Sequence, residues 1–133
     1  MPRKQNSKNR KAARKNPDGP EFRLRGRLWV DGPEGTFLGI GRVVLMERIR
    51  ELGSITRAAK SMDMSYRHAW RLIDSMNRQS EKPFVVRETG GKGGGGTRLT
   101  EEGEQAIEKY WKTQDEFRKF LDDKGVAFIH AED

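Results

Sequence analysis

Cysteine is absent from all 133 residues, which removes disulfides and thiolate metal sites from consideration. Histidine is nearly as scarce, and His68 and His130 stand too far apart for any familiar metal-ligand spacing. No nucleophile, base and orienting residue can be assembled from two isolated histidines, so neither an enzyme nor a cofactor is expected. No apolar run is long enough to span a bilayer, and the N-terminus lacks a hydrophobic signal segment; the expectation is a cytoplasmic protein with no membrane partner. Acidic residues are missing from residues 1–15, which hold seven Lys and Arg: Arg3, Lys4, Lys8, Arg10, Lys11, Arg14 and Lys15.

That missing acid locates the net charge of +7, because the rest of the chain is balanced and the tail carries the whole excess. Within the body, residues 40–100 have twelve basic and six acidic side chains, whereas residues 101–133 have five basic and ten acidic. A basic part followed by an acidic one suits a chain in which only the first part meets phosphates. Residues 1–20 are almost devoid of apolar side chains and read as a disordered basic tail, either a nonspecific phosphate-gripping arm or a solubilising leader.

The body opens with residues 22–30 (FRLRGRLWV), whose alternation predicts a half-buried strand with Phe22, Leu24, Leu28 and Val30 facing the core, followed by a turn over 31–35. A first helix is expected over about 40–52, packing through Val43, Val44, Met46, Ile49 and Leu52. Gly53 suits the left-handed end of that helix and Ser54 caps the next, so two helices meet within two residues. In the second helix Ile55, Ala58, Ala59 and Met62 recur at three- and four-residue steps, and the alanines allow close approach of a neighbour. Asp63 and Met64 break the pattern. Ser65 then caps a third helix to about Gln79, with Ala69, Leu72, Ile73 and Met76 on one face and Arg67, Arg71 and Arg78 on another.

Two short helices joined by a tight turn, the second lined with arginine, form a helix-turn-helix whose second member enters the major groove of double-stranded DNA. The N-terminal end of that helix, Ser65, Tyr66, Arg67 and His68, with Arg71 one turn on, is expected to read or orient at base edges. Ser54, Thr56 and Arg57 are expected to grip the backbone. Beyond it, residues 84–89 and 97–99 read as two strands around the glycine run 90–96, a β-hairpin wing charged by Arg87, Lys92 and Arg98. The run is not a nucleotide-binding loop. Gly93 stands where Ser or Thr should bind magnesium, Val86 stands where the first glycine should be, and no helix follows directly.

Thr100 followed by Glu101, Glu102 and Glu104 marks a helix start, with acids where the helix dipole favours them. The helix is expected to run to about 123 and to carry a stripe of Ile107, Tyr110, Trp111, Gln114, Phe117, Phe120 and Leu121. Such a stripe can pack within the chain or against its copy in a second subunit; because a helix at the edge of so small a domain has little core of its own to cover, it is read as a homodimer contact. The expected organisation is a basic tail (1–20), a DNA-binding domain (21–100), a long dimerisation helix (101–123) and a C-terminal tail (124–133).

Arg27-Leu28-Trp29, Gly53-Ser54-Ile55, Ala58-Ala59-Lys60, Met64-Ser65-Tyr66-Arg67, Ala69-Trp70, Met76-Asn77, the glycine run and Leu99-Thr100-Glu101-Glu102-Gly103 occur in an order that resembles one known family. Over about residues 22–121 the chain is similar to the N-terminal winged helix-turn-helix domain of the ModE family of molybdate-responsive regulators, itself akin to the LysR-type DNA-binding domain. The resemblance implies a mainly α fold with a small β wing and a long C-terminal dimerisation helix. It also implies a homodimer that binds a palindromic operator of molybdate- or tungstate-related genes. Fuller members continue into small β-barrel domains that bind the oxyanion, and no such sensing domain is expected within these residues. The competing expectation is a nonspecific nucleoid-associated or architectural DNA-binding protein, driven by the tail and the wing.

Overall fold

The computed structural model describes residues 22–88 and 96–129. The basic tail, Lys92 with most of the glycine run, and His130 lie outside them. In chain order the elements are β1 (Val30–Gly32), β2 (Gly35–Leu38), α1 (Ile40–Leu52), α2 (Ile55–Ser61), α3 (Tyr66–Gln79), β3 (Val85–Arg87), β4 (Thr97–Leu99) and α4 (Glu101–Ile129). Residues 29–110 form one compact unit, and residues 22–28 with 111–129 form a second. No described helix is long and apolar enough to cross a membrane.

In the first unit the helix boundaries follow the local chemistry. Gly53 adopts φ 70°, and its N–H closes α1 on the Ile49 carbonyl at 2.8 Å. That left-handed conformation is one a side chain with a Cβ adopts only under strain. The Ser54 hydroxyl accepts from the Arg57 N–H at 3.1 Å, and the Ser65 hydroxyl accepts from the His68 N–H at 3.0 Å, so α2 and α3 are both capped as their sequences require. Between them Asp63 turns the chain at φ 55°, a conformation that its short polar side chain tolerates. The core holds Val43, Leu45, Met46 and Ile49 from α1, Ile55, Ala58 and Ala59 from α2, and Ala69, Ile73 and Met76 from α3. Leu45 is fully buried and Val44 only half-buried, so α1 packs on a broader face than its expected stripe.

The wing strands pair antiparallel in the register Val85 with Leu99 and Arg87 with Thr97. Asn77 holds them to α3: its side-chain oxygen accepts from the N–H groups of Phe84 (2.8 Å) and Val85 (3.3 Å), and its amide donates to the Val85 carbonyl (2.9 Å). On the other edge the Thr97 N–H donates to the Gly53 carbonyl at 3.1 Å, which roots the wing at the α1–α2 turn. Thr100 caps α4, its hydroxyl accepting from the Gly103 N–H at 3.1 Å and donating to the Pro83 carbonyl at 2.7 Å.

Several expectations are corrected. Residues 22–29 form no strand, and Phe22, Leu24 and Val30 stay substantially exposed. The ladder starts only at Val30, where the turn at Pro33 and Glu34 brings β2 back as its partner. In the second unit the 22–28 segment instead lies along α4. A Cβ on Gly26 would stand 2.8 Å from the Phe117 ring and 3.5 Å from Leu121. The helix expected to stop near Asp123 continues to Ile129. Of the stripe read as a dimer contact, Ile107, Tyr110, Trp111 and Gln114 are buried within the single chain, and a residue already packed inside one subunit offers no surface to another. Phe117 and Leu121 are half-buried, and Phe120 is exposed.

Candidate nucleic-acid interface

The first unit separates its cations into two groups. Arg42 donates to the Ser75 hydroxyl at 3.0 Å, and partial burial lowers the pKa of its guanidinium. Arg48 reaches the Ser61 hydroxyl at the C-terminal end of α2 (2.8 Å), Arg50 pairs with Glu104 (2.7 Å), and Lys82 approaches Glu102 (3.9 Å). Arg78 pairs with Glu34 at 3.0 Å and with Asp74. The hydrogen bond to Glu34, reinforced by the Asp74 charge, raises its pKa still further. In the wing Arg98 pairs with Glu88 at 2.9 Å, both side chains more than half exposed. These six cations are engaged by the protein itself.

Arg57, Lys60, Arg67, Arg71 and Arg87 form the other group. All are exposed, and none makes an ion pair or side-chain hydrogen bond among the described residues. Arg57 and Lys60 lie on α2, Arg67 and Arg71 on α3, and Arg87 on β3. The Gly53–Thr97 bond places the root of β4 beside the N-terminus of α2, so the expected backbone-gripping residues Ser54, Thr56 and Arg57 adjoin the wing. Ser54 and Ser65 spend an acceptor lone pair on capping, and each hydroxyl keeps one hydrogen to donate outward. Tyr66, Arg67, His68 and Arg71 are all exposed at the capped start of α3, which has no acidic residue in its first turn. The positive end of the helix dipole is therefore unopposed there.

The expected site residues thus divide. Those on α2 and α3 lie on two helices packed against each other and are exposed, Ser54 partly so. Arg87 joins them as an exposed strand residue, Arg98 is engaged by Glu88, and Lys92 falls outside the described residues. Sequence reasoning passed over two exposed side chains, Lys60 on α2 and Trp70 on α3, the latter 46% exposed. The signal for Trp70 was its place one turn beyond Tyr66, between Arg67 and Arg71; Ala69-Trp70 entered the sequence reading only as part of the family resemblance, with no role for the indole.

The segment that carries this geometry, two capped helices meeting at a tight turn and a hairpin rooted at the N-terminus of the first, also matches a sequence family. Residues 40–104 match the family described as bacterial regulatory helix-turn-helix protein, lysR family. The chain carries a LysR-type helix-turn-helix domain. Around it the sequence is 42% identical to the molybdenum transport protein ModE of Azotobacter vinelandii, over 75% of this chain and 37% of that protein. It is 38% identical to the transcriptional regulator ModE of Haemophilus influenzae, over 74% of this chain and 40% of that protein. To the DNA-binding transcriptional dual regulator ModE of Escherichia coli K12 it is 46% identical, over 52% of this chain and 26% of that protein. The matches thus span two fifths or less of these relatives' length. In a helix-turn-helix the second helix of the pair, here α3, is the recognition helix.

Proposed function

We propose that the chain is a DNA-binding transcriptional regulator of the ModE type that reads a two-fold-symmetric operator as a homodimer. The observation that carries this reading is the division of the cations. Arg67 and Arg71 stand exposed and unpaired among the described residues at the start of a capped recognition helix, while Arg78, two turns on, is occupied by Glu34 and Asp74. Base-edge recognition is an N-terminal function of such a helix, and the free arginines are at that end. Arg57, Lys60 and Arg87 supply phosphate contacts that set the register without reading sequence. Dimer formation is assigned to the distal part of α4, where Phe120 and Phe128 remain more than half exposed. Molybdate- or tungstate-related genes are the proposed targets, on the strength of the relatives' names.

The test is selection of bound duplexes from a random library at near-physiological salt. The expected result is a palindromic motif whose half-sites lie about one helical turn apart, roughly 34–36 Å. Recovery of no motif would replace this reading with that of a nonspecific architectural protein.

A further inference from the structure

The exposed side chains of α3 leave one large apolar group unexplained. Trp70 is 46% exposed and Tyr66, one turn before it, 43% exposed. At about 100° per residue, Tyr66, Trp70, Arg67 and Arg71 follow one another within an arc of about 140° on the helix surface. Trp70 lies inside that arc, and the buried stripe of Ala69, Ile73 and Met76 lies outside it. The other exposed tryptophan of this unit, Trp29, lies over Gly39, with its ring 3.0 Å from where a Cβ there would be. Beside arginines on the same arc, nearly half of the indole surface is left open to solvent. It offers an apolar face and a single N–H donor.

We propose that Trp70 is a specificity-determining residue that packs its indole against the C5-methyl group of a thymine in the major groove. That methyl is the apolar feature the major groove displays, and it distinguishes T·A from the other pairs. Trp70 shares this arc with the two arginines, so its side chain is carried toward the same base edges. The two arginines beside it suit adjacent guanines, so the helix reads a half-site of mixed composition. The inference rests on the operator-reading function proposed above.

The experiment uses the full chain and the operator recovered by selection. Each thymine is replaced in turn by uracil, in one half-site at a time, and binding is measured for the unaltered protein, Trp70→Ala and Trp70→Phe. The unaltered protein is expected to lose about fourfold at one symmetry-related position, the effect of one buried methyl. Trp70→Ala is expected to bind the thymine operator about tenfold more weakly and to be indifferent to uracil at that position, with Trp70→Phe intermediate. The uracil series on the unaltered protein needs no variant to fold. If no uracil substitution matters, or if the effect persists in Trp70→Ala, the thymine contact is wrong while operator reading stands. Failure of the selection to yield any motif would remove both together.

Discussion

Arg67 and Arg78 lie on the same helix with the same formal charge, and their surroundings give them opposite roles. Arg78 bridges Glu34 of the β1–β2 turn and Asp74 of its own helix, whereas Arg67 has no such partner among the described residues. Arg67→Ala is therefore expected to cost about 1–3 kcal/mol on the operator and to relax its specificity, while Arg78→Ala leaves the preference for operator over random duplex unchanged. Fluorescence anisotropy on both duplexes checks this, and an equal loss on both from Arg67→Ala would end its base-reading role. The sequence showed that both arginines share a face and that Asp74 sits one turn from Arg78. It did not show Glu34, which is 44 positions away and meets Arg78 only because a hairpin folds back. Long-range pairing of this kind has no periodicity to betray it.

At the scale of elements, the three helices of the DNA-binding unit and their caps were legible because each boundary is local chemistry: Gly53, Ser54, Asp63 and Ser65 act within one turn. β2 was not, since a short run such as Gly35–Leu38 becomes a strand only through its partner. The cover of the α4 stripe was left open for a related reason, as periodicity marks an apolar face without naming what packs on it; Ile107, Tyr110, Trp111 and Gln114 are buried within the chain. Gly103 was read only as part of a family pattern, and the structure supplies its cause. A Cβ there would stand 2.6 Å from the Phe84 carbonyl oxygen and 2.9 Å from Leu99. Gly→Ala within a helix ordinarily stabilises by up to about 1 kcal/mol. Here the sign should reverse, because backbone must move: Gly103→Ala is expected to destabilise by about 1–3 kcal/mol in chemical denaturation. A gain in stability would show that α4 and β3 are not so closely apposed.

For the whole molecule, the separation of charge along the chain suggests distinct duties for tail and domain. Deleting residues 1–15 removes seven cations and is expected to make the dependence of log K on log[salt] shallower by about 0.9 for each phosphate the tail had neutralised, while the selected motif stays the same. Titration of operator and random duplex across a salt series measures both quantities, and disappearance of the motif with the tail would favour the architectural reading. The side-chain amide of Asn77 has a consequence of another kind. By joining the recognition helix to the first wing strand through three hydrogen bonds, it fixes the connector from 78 to 83 at one length. An insertion or deletion there would unfasten the wing, and a change of side chain would not. Divergence in such a domain is therefore channelled into the identity of the reading side chains, with their spacing held constant, so that related proteins can acquire new operator sequences while keeping the same half-site geometry.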